Sequence, residues 1–290
     1  MTKDDIKEDK ELRLSFISKK ENNCPACGAS FHKEELLSGG GRLIAGALTE
    51  ELHRLYEPSQ KYGEVFPLVY QALVCPECWF ASTGADFPLL PNARADDAFL
   101  DKEQRKAETL LIFPGVDFLA PRRLMEGAAS YYLVLRCYDF YEKATSPTIK
   151  QDLAAIRTAW LLDELNHKYP QQHYDWLAIL FRKKARYFYT EALQREQSGI
   201  ETMSGIKNYG PDTDKNYAYG GMLYLCAYLQ YKYGPSQTAD ERKTSLEEAR
   251  RTIAKMFGMG KSSKDKPGPF LEMARKVYNA INEELNSTKN

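Results

Sequence analysis

The chain has no excess charge of either sign. Forty Lys and Arg balance forty Asp and Glu, so the formal net charge is zero. A dedicated nucleic-acid or anionic-membrane binder normally carries a basic surplus, and that class is disfavoured. The sequence also lacks any apolar run of the 18 or so residues that a membrane helix needs. Residues 1–20 are rich in Asp, Glu and Lys and contain no apolar signal core, which excludes a secretory leader there and points to the cytoplasm. There is no Gly-Lys-Ser/Thr phosphate loop and no legible set of nucleophile, base and orienting group.

The chain does hold six cysteines, four of them in two Cys-x-x-Cys pairs. A reducing compartment argues against three disulfides. Cys24-Pro25-Ala26-Cys27-Gly28 and Cys75-Pro76-Glu77-Cys78 read as two metal knuckles. Two cysteines three apart in a tight turn aim their sulfurs at one centre. Proline stiffens the backbone between them, and a following glycine accepts positive φ, which turns backbone N–H groups toward the thiolates. Two such turns complete a tetrahedral set for one zinc ion on Cys24, Cys27, Cys75 and Cys78, with no open position for water. The expected role is structural. Dithiol redox chemistry is the rival, but it needs one such pair at a helix start within a βαβ pattern. The separation of the pairs, residues 28–74, exceeds that of a compact ribbon, and Trp79 stands where the second knuckle would favour glycine.

The expected fold is mainly α: a small zinc-ribbon-like module over 21–93, after a flexible tail over 1–20, then a right-handed array of antiparallel helical hairpins over 94–290. Within the module, Leu43, Ile44, Ala47, Leu48, Leu52 and Leu55 recur at helical spacing and predict an inserted helix over 42–56. Val65 to Val74 reads as a strand, displaced to an edge by Pro67. Helices are expected over 96–113, 122–144, 147–168, 172–197, 214–233, 240–256 and 270–285. Ser146-Pro147 forms the start of the third of these. A turn at Gly210-Pro211-Asp212 and a polar loop over 261–268 separate later helices. Recurring Ala and aromatic positions suggest tetratricopeptide-like packing.

The segments Cys24-Pro-x-Cys27-Gly28-x-x-Phe31, Val74-Cys75-Pro-x-Cys78-x-Phe80-Ala81 and Asp86-Phe87 resemble an uncharacterised bacterial family. It joins an N-terminal zinc-ribbon-like segment to a C-terminal tetratricopeptide-like region. Ile156-Arg157-x-Ala159-Trp160-Leu161, Tyr189-x-Glu191-Ala192-Leu193 and Tyr224-Leu225 fit the helical half. The resemblance spans most of 22–285. It implies zinc on the four cysteines and no assigned reaction; Trp79 is the departure at the motif.

Other candidates have plainer readings beside the functional ones. His32 lies near the first knuckle and could replace a ligand, though a surface histidine explains it. His53 falls on the polar face of the expected inserted helix. Glu164 and His167 form one Glu-x-x-His, with His173 and Asp175 nearby; dimetal sites use that motif twice. Gly39-Gly40-Gly41 reads as a link before a helix. Arg182, Lys183, Lys184 and Arg186 form a basic cluster that reads as a solvated face or a contact for nucleic acid. Tyr217, Tyr224, Tyr228 and Tyr231 form a stripe that reads as core or as a recognition groove. Cys137 and Cys226 read as small buried apolar groups.

These readings favour a zinc-binding interaction or scaffold protein whose helical array takes a protein or peptide partner. A nucleic-acid-binding zinc ribbon is the alternative, and a dithiol or dimetal enzyme is the weaker one.

Overall fold

A computed structural model describes residues 13–204, 206, 209, 210, 212, 215–258 and 267–287. Residues 1–12 of the expected tail, Pro211, Asp214, Gly260 and 261–266 of the expected loop lie outside them. Contacts divide the chain into two units. One runs to Leu48 and resumes over Arg54–Glu142; the other holds Thr49–His53 and the chain from Lys143 onward. The boundary expected after residue 93 therefore differs from this division at 142. The helix over 124–137 packs against strands of the cysteine module, and the helix over 102–112 packs on it in turn.

The first unit contains three two-stranded antiparallel sheets: β1 (Ser15–Asn23) with β2 (Ser30–Leu36), β3 (Ile44–Leu48) with β4 (Arg54–Glu57), and β5 (Ala72–Val74) with β6 (Ala81–Thr83). The register runs Asn23↔Ser30 in the first pair and Val74↔Ala81 in the third. Each cysteine knuckle is thus the turn of its own hairpin. Two sequence readings are corrected here. Residues 15–20 are strand and not tail. Residues 42–56 form the β3–β4 hairpin and not a helix. Their leucine spacing suits a helix, but Leu52 sits at φ 61, which a right-handed helix forbids. A Cβ on Gly46 would meet the Leu55 carbonyl oxygen at 3.2 Å, so the hairpin backbones approach closely there. A third correction concerns 65–74. Pro67–Tyr70 is a 3₁₀ turn, and only Ala72–Val74 is strand, since proline cannot join a ladder but suits the start of a helical turn.

Three helices complete this unit: α1 (Asn92–Leu100), α2 (Lys102–Ile112) and α3 (Leu124–Cys137). The single helix expected over 96–113 is broken at Asp101, which ends α1 and begins α2. Helix α3 is buried almost all round, as a central helix must be when neighbours cover every face.

The second unit is helical: α4 (Pro147–Lys168), α5 (Tyr174–Gln197), α6 (Ala218–Tyr233), α7 (Ala239–Gly258) and α8 (Gly268–Ser287). Each packs on the next in sequence. Ser146-Pro147 does start α4, but the serine hydroxyl donates to the Thr202 carbonyl at 2.6 Å. Glu201 accepts the Thr148 N–H instead, at 2.9 Å, and so caps the helix from a distance in sequence. The molecule is mainly helical, with small antiparallel sheets near its N-terminus. No helix among the described residues is long and apolar enough to cross a membrane.

Candidate metal centre

The two knuckles fold identically. In the first, Gly28 N–H donates to the Cys24 carbonyl and Cys24 N–H to the Ala29 carbonyl, both at 2.9 Å. In the second, Trp79 N–H donates to Cys75 and Cys75 N–H to Phe80, again at 2.9 Å. This turn needs a left-handed residue after the second cysteine. Gly28 supplies φ +77 without strain. Trp79 takes φ 58, where a side chain costs about 1–2 kcal/mol. Packing holds it there, because its ring meets Phe118 edge-on at 5.1 Å between centroids.

The four sulfurs lie within 4.8 Å of one another and can hold a metal ion. The Cys24–Cys78 and Cys27–Cys75 sulfur pairs are each 3.6 Å apart, and all six cysteines are free thiols. A tetrahedron with sulfurs about 2.3 Å from its centre has edges of about 3.8 Å. The donor set therefore fits one tetrahedral thiolate site, whereas a disulfide would need about 2.05 Å.

The thiol electrostatics favour a cation. Cys75 is pulled down to about 2, because Cys24 and Cys78 both donate to its sulfur and the Glu77 and Cys78 backbone N–H groups add to this. Cys24, hydrogen-bonded to Cys75, is pushed up to about 12, and Cys78 is raised through its bonds to Cys24 and Cys75. Ionising all four of these mostly buried sulfurs needs positive charge between them.

The surrounding packing fixes the second knuckle. Arg105, on α2, is fully buried and donates from Nη2 to the Cys78 carbonyl at 2.8 Å and the Ala98 carbonyl at 3.1 Å. Its Nη1 pairs with Asp101 at 2.8 Å. Cys137 Sγ accepts the Ala81 N–H at 3.3 Å. Phe87 meets Phe31 at 5.8 Å and Phe80 at 5.5 Å, so one aromatic cluster touches both hairpins. Asp86 accepts from the buried Tyr138 hydroxyl at 2.7 Å. Sequence reading missed Arg105, which sits in a charged run with no local sign of burial.

The remaining candidates scatter. His32 pairs with Glu21 across the β1–β2 ladder and stands outside the sulfur cluster. His167 is 74% exposed and 3.6 Å from Glu164, and no second copy of that pair joins it in a metal-binding group among the described residues. The basic cluster is split. Arg182 binds Glu51 and Asp163, Arg186 donates to Gln230 at 2.9 Å, and Lys183 and Lys184 are exposed. Tyr217, Tyr224 and Tyr228 are buried, as are Cys137 and Cys226.

His53 is not on a helix. It belongs to Thr49–His53, a turn closed by Leu52 N–H to Thr49 O at 3.0 Å. Its ring stacks on Trp160 at 4.2 Å and 3°, 3.7 Å from Asp212, and burial lowers its pKa. The helices grip this turn closely. Glu51 accepts from Trp160 Nε1 and Arg182 Nε, each at 2.7 Å. Tyr224 donates to the Glu50 carbonyl at 2.8 Å and Tyr228 to the Glu50 carboxylate at 3.0 Å. Sequence reading missed this set, whose members are more than a hundred residues apart.

Residues 17–281 match a family described as an uncharacterised protein conserved in bacteria, DUF2225. An uncharacterised protein of Borreliella burgdorferi is 37% identical over 277 residues, covering 96% of this chain and 99% of its own length. No solved structure matches. Both the family match and this nearly full-length relative span the paired cysteines as well as the helical unit, and the chain belongs to the DUF2225 family.

Proposed function

We propose that this is a cytoplasmic, zinc-binding protein-interaction scaffold. Cys24, Cys27, Cys75 and Cys78 would hold one zinc ion, which supplies a cross-link between two hairpins and no reaction, since all four positions are sulfur. Free thiols throughout fit a reducing compartment. The helices of the second unit, read as tetratricopeptide-like hairpins, would take up a peptide or protein segment.

One observation carries the interaction reading. The helical unit already holds a non-helical segment, Thr49–His53, by a guanidinium fork from Arg182 to the Glu51 carboxylate, an indole N–H and two tyrosine hydroxyls. These are the side chains that recognise an acidic stretch of extended or turned chain.

Elemental analysis of freshly purified full chain tests the metal. One zinc per chain is expected, with loss in a Cys24→Ser, Cys75→Ser double variant. A ratio far below one, or zinc retained by that variant, counts against the reading. Affinity capture with the full chain from the native cell tests the scaffold role. A reproducible protein partner is expected, and its absence overturns that role.

A further inference from the structure

A pocket of about 190 Å³ opens in the first unit beside β2 and β5. Its walls are mainly apolar, from Ile17, Leu73, Val74 and Phe118, but two cations line it, Lys33 and Arg122. Arg122 is the unusual member. Its Nη1 is buried and has no hydrogen-bond partner among the described residues. The guanidinium lies over the Phe118 ring at 4.8 Å. Burial lowers its pKa to about 10, against the opposing pull of Glu34 and Glu126.

Glu34 also lines the pocket but is already engaged. One carboxylate oxygen accepts the Arg122 backbone N–H at 2.8 Å, and the other accepts the Ser15 hydroxyl. Lys33 has a single long bond from Nζ to the Gln71 carbonyl, at 3.4 Å, and burial lowers its pKa too. Glu35 acts on Lys33 and Glu126 on Arg122 from outside the lining, so what the pocket offers an anion is the unpartnered guanidinium nitrogen and not a surplus of charge. A buried guanidinium nitrogen without a partner is unfavourable, and an incoming anion would satisfy it.

We propose that this pocket binds a monocarboxylate carried on a short apolar body, with Arg122 as its charge partner and Lys33 as a second cation. One unpartnered guanidinium nitrogen among nearby carboxylates suits a monoanion better than a phosphate dianion. Apolar walls suit a hydrocarbon body and offer few donors to a phosphate. The volume is below the roughly 300 Å³ of drug-sized sites, which limits the body to a few carbons or one side chain. Two sources share this chemistry: a free short-chain acid, or the C-terminal apolar residue of a peptide.

Isothermal titration of the full chain separates these sources. The probes are hexanoate and a short peptide ending in leucine, with hexanamide and inorganic phosphate as controls. At least one carboxylate probe is expected to bind saturably, with Kd near or below about 1 mM. Hexanoate binding identifies a free acid, and peptide binding alone identifies a chain terminus. Arg122→Gln should weaken binding about tenfold or more, and Lys33→Met several-fold. The proposal is overturned if neither carboxylate saturates the protein, if hexanamide or phosphate binds as well, or if Arg122→Gln leaves affinity unchanged. If Arg122→Gln does not fold by circular dichroism, Lys33→Met carries the comparison, and unchanged affinity there is the overturning result.

Discussion

Arg105 donates to the carbonyl oxygen of Cys78 at 2.8 Å from a position with no solvent exposure. The bond runs from the first turn of α2 to the backbone of the second cysteine knuckle. Removing the guanidinium would orphan the Cys78 and Ala98 carbonyls and leave Asp101 with Arg136, at 3.3 Å, as its other cation. Each buried orphan costs about 1–3 kcal/mol. Arg105→Leu is therefore expected to lower stability by about 3–5 kcal/mol, read as a shift in urea midpoint. A change under 1 kcal/mol would mean that the arginine is not holding this turn.

The two knuckles should respond oppositely to glycine chemistry. At Gly28 an added Cβ meets nothing within 4 Å, so Gly28→Ala should cost only the left-handed backbone penalty, about 1–2 kcal/mol. At Trp79 the same penalty is already present. Trp79→Gly would relieve it but forfeit a buried indole whose deletion costs about 3–5 kcal/mol. Packing should win, with a net loss of about 2–4 kcal/mol in thermal denaturation. Equal or greater stability in Trp79→Gly would show that backbone strain dominates.

Glu51 is the acceptor on which Trp160 and Arg182 converge. Its side chain is only 9% exposed, so screening is weak. Glu51→Gln keeps the shape but removes the charge, leaving Arg182 to Asp163 alone. A loss of about 2–3 kcal/mol is expected. Trp160 fluorescence should shift as the indole loses its carboxylate partner, and an unchanged spectrum with unchanged stability would contradict this.

Asp152 predicts a pH dependence. It is fully buried on α4, and neither carboxylate oxygen has a hydrogen-bond partner of ordinary geometry among the described residues, although Tyr189 faces it. Burial raises its pKa well above the usual value. The folded chain therefore keeps a proton that the unfolded chain releases above about pH 3.9. Stability from this group is full below that pH and falls as pH rises toward the folded pKa, by up to about 1.4 kcal/mol per unit. Asp152→Asn should remove that slope and be the more stable protein at neutral pH. Parallel stability curves from pH 4 to 8 would refute the assignment.

The cysteine cluster was legible because its chemistry is local. Cys-Pro-x-Cys fixes a turn whatever surrounds it, and Phe31, Phe80 and Phe87 of the same motifs meet in one cluster. Ser146-Pro147 marked a helix start for the same reason. The 42–56 segment misled because six apolar residues suit a helix as well as a hairpin. The partners that hold the turn, Arg182 and Trp160 on Glu51, are far away in sequence. The cluster at 182–186 dissolved likewise, since neighbours along a helix point in different directions. Arg105 was hidden because a buried arginine reads, in one dimension, like a solvated one.

The long stretch between the two cysteine pairs, 28–74, has an entropic consequence. An ion shared by both hairpins ties residue 27 to residue 75 in any chain that keeps it bound. By the chain-entropy estimate for such a ring, the unfolded ensemble loses freedom equivalent to about 4 kcal/mol. A compact ribbon would gain less, so the insertion that makes the motif look irregular would also make such a staple more effective.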